Sequence, residues 1–285
     1  MKKIFKYFAA LSLLSAPLTA LSCTNEQAVV KKMQSEQDKF NAFIKQDAIQ
    51  TILNNLYTDN DAKTEFLNEQ FNLGNEYAKK VQVALRYANN ITGAFRDAFS
   101  FFGDAAPIEY GETVTRKFSH TNWLYYLYHL PQLTFIQTQD FGRDKTVEEY
   151  EKENLENSLL YNNFYTPSSN EFIDYVVQEY SNDDYENEKR VYLLTKDGFI
   201  IQFNMSFYKD GEQKPSTNVL MYVYTFPKLL ASKDKLKDFS LEKYIQDTKS
   251  FANYNIYGSN TNEILFTDHY GGTQLRYTVV DISYE

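Results

Sequence analysis

Residues 191–208 read VYLLTKDGFIIQFNMSFY, and the way this stretch folds decides the class of the chain. Val191 to Thr195 and Phe199 to Tyr208 are two runs rich in strand-forming residues, and Lys196-Asp197-Gly198 separates them. An Asp-Gly turn between two such runs signals a β-hairpin, because glycine supplies the positive φ that closes the turn. Toward the C-terminus, Lys209-Asp210-Gly211 reads as a second turn, and Val219 to Phe226 as a third strand closed by Pro227. Ser240 is placed to cap a helix over about 241–252. Ile264 to Thr267, Gly271-Gly272 and Gln274 to Ser283 read as a final hairpin, in which Leu275, Tyr277 and Val279 alternate with Arg276, Thr278 and Val280.

Upstream of the hairpin the period changes. Phe172 to Tyr180 fits either helix or strand. Residues 146–164 (TVEEYEKENLENSLLYNNF) predict a helix, with Thr146 and Glu149 at capping-box spacing. The nearly all-apolar run Asn122 to Leu130 ends at Pro131 and fits a short buried helix or a strand, which periodicity alone does not separate. Further back, Val29 to Leu56 and Leu67 to Phe102 each carry apolar residues every third or fourth position. They predict two amphipathic helices, parted at Asp59-Asn60-Asp61 and packed as an antiparallel hairpin. The second is weakened at Gly74 and Gly93 and stopped by Gly103 and Pro107. The expected fold is α+β: helices over about 36–165, then a mostly antiparallel sheet over about 170–285, in one domain of residues 36–285 behind a short tether, 23–35.

The first 23 residues, MKKIFKYFAALSLLSAPLTALSC, carry a separate message. Lys2, Lys3 and Lys6 precede an apolar stretch from Phe8 to Leu21, which is too short to span a bilayer comfortably and contains Pro17. This is the pattern of a secretory signal segment, over residues 1–22. Cys23, the one cysteine of the chain, follows directly. Ala20-Leu21-Ser22-Cys23 resembles the lipobox of bacterial prolipoproteins, in the looser Ala-apolar-Ser-Cys version that mollicute lipoproteins often show. The resemblance implies cleavage between Ser22 and Cys23 and diacylglycerol in thioether linkage to Cys23. Two acyl chains suffice for a stable anchor where one does not, so the expected location is the outer face of the cell membrane.

Composition and charge narrow the functions. The 285 residues include 24 Tyr and 22 Phe against one Trp, and only 10 Gly and 6 Pro, which is neither a disordered nor a fibrous composition. Net charge is −9; removal of residues 1–22 lowers the basic count from 29 to 26 against 38 acids, a net −12. Such a body repels a phosphate backbone, so no nucleic-acid partner is expected. His120, His129 and His269 lack metal-ligand spacing, Asp59-Asn60-Asp61 lacks the rest of a calcium loop, and the acidic stretch Asp183 to Glu188 reads as a solvated loop. No GxSxG elbow and no glycine-rich phosphate loop is present. No catalytic residue, metal or cofactor is therefore expected. Two other readings remain. One is a surface hydrolase, a nuclease or protease, with His269 or His120 beside an acid or serine. The other is the solute-binding lipoprotein of an importer, which the helices-then-hairpins order disfavours.

The aromatics have two readings. Trp123, Tyr125, Tyr126 and Tyr128 cluster between Phe118 and Phe135, and Tyr192, Tyr208, Tyr222, Tyr224, Tyr277 and Tyr284 lie along the strands. Tyrosine and tryptophan give large contact area at low entropy cost, so the Trp123 segment is a recognition face if exposed. If it is core, the outward tyrosines of the sheet take that role. The local enrichment, with the signal segment, the length and the order of elements, resembles mycoplasmal surface lipoproteins of the aromatic-cluster or aromatic-motif type. The resemblance implies a surface-anchored protein and no particular activity. The partner expected is a host macromolecule or another surface protein, met by a non-catalytic binding domain. Replacing Cys23 by Ser should abolish incorporation of radiolabelled fatty acid into the protein; label that persists on C23S would refute the anchor.

Overall fold

The computed structural model describes residues 23–92, 114–138, 164–180, 187–209, 214–231, 236, 238–253, 270–271 and 275–284. It separates into two compact units, residues 1–42 and 43–285. The first is represented by most of helix α1, Cys23–Ile44, whose backbone is helical through the stretch expected to be a tether. The expected signal segment, the helix stop at Gly103 and Pro107, and His269 lie outside the described residues, as do most of the helix expected over 146–164 and of the acidic loop expected over 183–188; their described ends, Phe164 and Asn187–Glu188, are strand instead.

The two long helical patterns are broken into four helices. After α1 come α2, Asp47–Leu56, α3, Asn60–Asn72, and α4, Gly74–Thr92. The breaks have local causes. Gln46 is extended before α2. The Asp59 carboxylate accepts the Asp61 and Ala62 N–H groups at 3.1 and 3.3 Å, capping α3 as the sequence suggested. Gly74 takes φ +59, which lets the chain restart as α4. Instead of pairing as a hairpin of two helices, these elements pack onto other layers: α2 on β3, α4 on β8, and α3 on a short aromatic helix. That helix, α6, Trp123–Tyr128, follows the four-residue α5, Arg116–Ser119, and leads through a 3-10 turn, Leu130–Gln132, into β1.

One sheet carries the strands β1, Leu133–Thr138, β2, Phe164–Tyr165, β3, Phe172–Tyr180, β4, Asn187–Thr195, β5, Ile200–Phe207, β6, Ser216–Val219, β7, Tyr222–Thr225, and β8, Leu275–Ile282. Their order is β2-β1-β8-β7-β5-β4-β3, with β6 beside β5, and every pairing is antiparallel. The fold is α+β, helices first. The β4–β5 hairpin closes as read from its sequence: Gly198 N–H donates to Thr195 O at 3.0 Å, Thr195 N–H donates to Phe199 O at 2.8 Å, and Gly198 has φ +85. Ser240 Oγ accepts the Lys243 N–H at 3.1 Å and caps α8, Leu241–Asn253, which follows α7, Pro227–Ala231.

Two expectations about the strands change. The stretch from Val219 to Phe226 is split: β6 pairs with the far half of β5, whereas β7 pairs mainly with β8. The last strand does form, but its two edges are taken by β1 and β7 rather than by the expected partner, Ile264–Thr267, which lies outside the described residues. β1 itself had no clear signature, and its pairing with β8 spans more than a hundred residues.

Side chains alternate between the two faces of the sheet. On one face Val191, Leu193, Ile201, Phe203, Met205, Val219, Val223 and Val279 are buried. This face meets α2, where Thr51 Oγ1 donates to Tyr175 Oη at 3.1 Å and Lys189 Nζ to Asn55 Oδ1 at 2.8 Å. It also meets α4, where Gln82 Nε2 donates to Ile282 O at 2.7 Å. On the opposite face Leu194 and Ile200 join Phe226, Leu229, Leu241, Tyr244, Ile245 and Tyr270 in a second apolar cluster. A Cβ on Gly198 would stand 3.2 Å from Leu229 Cβ and from Leu236 Cδ2, on top of the unfavourable positive φ. Gly198→Ala should therefore cost about 1–3 kcal/mol in chemical denaturation; an unchanged midpoint would refute this account of the hairpin.

Candidate interaction surface

The Trp123 segment is core. Trp123 is 1% exposed, Tyr125 and Tyr126 are likewise buried, and Tyr128 is half-buried. This corrects the reading of Trp123, Tyr125, Tyr126 and Tyr128 as a contact face. The physical reason is that α6 lies between two layers. The indole stacks on Phe66 of α3 at 5.5 Å between centroids and meets Phe203 of β5 at 4.8 Å. Tyr128 packs on Phe43 at 5.3 Å.

A buried polar network fixes the helix there. The Tyr125 N–H, an orphan donor in the first turn of α6, is accepted by Gln70 Oε1 of α3 at 3.1 Å. Gln70 Nε2 donates to Asn122 Oδ1 at 3.1 Å. Tyr125 Oη donates to Gly74 O at 3.1 Å, and its ring stacks on His129 at 3.8 Å. Burial pushes the Tyr77 hydroxyl up to about 12 and raises those of Tyr125 and Tyr126 further. Tyr126 Oη, fully buried, has no hydrogen-bond partner among the described residues.

The outward tyrosines of the sheet are arranged differently. Register places Tyr180 of β3, Arg190 and Tyr192 of β4, Tyr222 and Tyr224 of β7 and Arg276 of β8 on the face opposite α6. All six are half-buried. The Arg190 guanidinium lies 4.0 Å from the Tyr180 ring centroid, and that of Arg276 lies 4.0 Å from the Tyr222 centroid. Tyr222 meets Tyr224 edge-on at 5.3 Å. Glu188 Oε1 lies 3.4 Å from Arg190 Nε, and Tyr180 Oη donates to Gln178 Oε1. Burial raises the Tyr192 and Tyr224 hydroxyls above the usual tyrosine range. Tyr192 and Tyr224 pack against the second apolar cluster, whereas Tyr180 and Tyr222 each lie beside a guanidinium, an arrangement that suits recognition. Of the other strand tyrosines, Tyr277 is buried on the α6 side, Tyr208 is half-buried, and Tyr284 is exposed with Lys79 Nζ 5.8 Å above its ring. Tyr180 and both arginines went unread in the sequence. The i, i+2 spacing of Tyr222 and Tyr224 hinted at one face, but which arginine lies over which ring depends on the register.

The groups that a hydrolase would use are placed as follows. His120 Nδ1 lies 2.8 Å from Ser119 Oγ, and burial, with Arg116 nearby, lowers the histidine pKa. The Ser119 side chain is itself fully buried, out of reach of a substrate carbonyl. Among the described residues, no group of three or more His, Cys, Asp or Glu could hold a metal ion, and no helix is long and apolar enough to cross a membrane. Cys23 opens α1, and Ser22 lies outside the described residues.

A family model described as aromatic cluster surface protein matches residues 24–271. No curated protein and no solved structure matches the chain. Since the Tyr126 hydroxyl is buried without a partner, Tyr126→Phe should leave stability unchanged or raise it by about 1 kcal/mol. Tyr125→Phe, which removes the hydroxyl bond to Gly74 O, should lower stability by a similar amount. Equal losses in both variants, measured by denaturant titration, would contradict this difference.

Proposed function

The chain belongs to the aromatic cluster surface protein family, and from that premise we propose that it is a non-catalytic binding module. It is held outside the cell by a diacylglyceryl group on Cys23 and contacts its partner through the tyrosine–arginine face of the sheet. The observation that carries this reading is the pair of stacks, Arg190 on Tyr180 and Arg276 on Tyr222, each at 4.0 Å on a half-buried sheet face. A sheet holds such groups rigidly, so little side-chain entropy is lost when a partner covers them. Tyrosine and arginine are also the residue types over-represented among binding hot spots.

The partner class is a host macromolecule or another surface protein. The processed chain, at net −12, attracts basic or neutral protein surfaces and repels nucleic acid and anionic membrane faces. A hydrolase gains no support from the Ser119–His120 pair, whose serine is buried. The importer reading gains none from a sheet in which every described pairing is antiparallel. Tyr180→Ala and Tyr222→Ala in the intact, cell-displayed protein should each weaken adhesion to host cells roughly tenfold. The blue-shifted emission expected of buried Trp123 should not change in either variant. Undiminished adhesion by both variants would remove this face from the reading.

A further inference from the structure

The two ends of the sheet are protected unequally. At one end β2 is only two residues long, Phe164–Tyr165, and presents almost no ladder to a neighbour. At the other end stands β3, nine residues long and, among the described residues, paired only with β4. A long unpaired edge is a template for another strand, and folded proteins usually blunt it with lysine, proline or a bulge. β3, FIDYVVQEY, contains neither lysine nor proline. Its bulge lies at one end, between Phe172 and Asp174.

The hydrogen-bond parity of the ladder tells which backbone groups face outward. Thr195 and Phe199 form a hydrogen-bonded pair at the hairpin turn. Such pairs recur at every second residue, so Leu193, Val191 and Lys189 turn their N–H and C=O groups to β5. Leu194, Tyr192 and Arg190 therefore turn theirs to Asp174, Val176 and Gln178 of β3. That leaves Tyr175, Val177 and Glu179 with backbone groups directed away from the sheet. The Tyr175 N–H agrees with this assignment, since it donates to the Asp174 carboxylate at 2.8 Å. Asp174 thus closes the first half of the edge. Val177 and Glu179, each with an outward N–H and C=O, have no backbone partner on that side among the described residues. Val177 is 36% exposed, and Ile173, in the bulge, is 49% exposed.

Charge selects the occupant. β3 bears Asp174 and Glu179 and no base, while the preceding Glu171 is held by Lys196 Nζ at 2.7 Å. Lys189 reaches Glu179 at 3.4 Å, but the Glu179 side chain remains 69% exposed. A second copy of the processed chain would bring the same acids and a net charge of −12. Antiparallel pairing of two copies about Val177 would also set Tyr175 opposite Glu179, and the Tyr175 N–H is already taken. We infer that the Val177–Glu179 half of the β3 edge accepts an extended, basic segment of a partner protein as an added strand. Main-chain hydrogen bonds supply the affinity in such pairing, and alternate side chains supply the choice of partner. Asp174 and Glu179 lie on opposite faces of the sheet, so lysine or arginine on one face of the added strand would meet Glu179, and apolar residues on its other face would lie beside Val176. The inference rests on the reading of this chain as a binding protein, but not on the tyrosine face.

The test uses the intact protein and a fluorescent ten-residue peptide alternating lysine and valine, followed by anisotropy. The peptide should bind, and its glutamate–valine counterpart should not. Val177→Pro removes one outward N–H and no bond to β4, a change that edge strands tolerate, and should weaken binding at least tenfold. The same lysine–valine peptide, N-methylated at alternate residues, keeps its charge and should not bind the unaltered protein. That arm decides the matter if V177P does not fold. Tyr222→Ala should leave peptide binding intact even where it abolishes adhesion, so the edge and the face fail separately. The inference is overturned if the lysine–valine peptide does not bind, or if the N-methylated peptide or a folded V177P binds as well as the unmodified pair. It is also overturned if sedimentation shows the protein self-associating through β3, which would make a second copy the occupant.

Discussion

The Trp123 indole lies between the Phe66 ring of α3 and the Phe203 ring of β5, and the rest of the domain is arranged around that contact. One side chain thereby ties the helices to the middle of the sheet. Truncating a buried aromatic of this size costs about 3–5 kcal/mol, a large part of the stability of an ordinary domain. The polar groups that come in with α6 are met locally. Gln70 of α3 receives the Tyr125 N–H and holds Asn122, so the helix start is capped by a neighbouring helix rather than by its own N-cap side chain. Packing and hydrogen bonding therefore constrain the same few residues, and α6 can be apolar on every side because protein surrounds it.

Once that contact sets which face of the sheet is inward, the pleat sets the rest. Phe203 is inward, so its β4 partner Val191 is inward, and Arg190 and Tyr192 turn to the opposite face. A slip of one residue between β4 and β5 would exchange the two sets, exposing Val191 and Leu193 and burying Arg190. The burial of the valines and leucines thus holds the arginine–tyrosine stacks in place without touching them. The second apolar cluster, around Phe226, Tyr244 and Tyr270, packs on that opposite face against Val176, Tyr192 and Tyr224. Aromatic residues in this protein divide accordingly: those of α6 are structural, while Tyr180 and Tyr222 remain half-buried beside arginines.

The sequence by itself determined whatever rests on neighbouring residues. The Asp197-Gly198 turn, the β4–β5 hairpin, the Asp59 and Ser240 caps and the α+β order were legible, because a positive φ or a capping oxygen acts over four or five residues. The aromatic run at Trp123 was legible as either core or surface. Only the tertiary structure chose core, since burial depends on whether Phe66 and Phe203, dozens of residues away in opposite directions, arrive on its two sides. The same limit applies to β1, to the neighbours of β8, and to the meeting of Arg276 with Tyr222. Each is a pairing between segments far apart in the chain, and the free energy that selects it comes from surface buried jointly by both partners, which neither segment carries in its own residues.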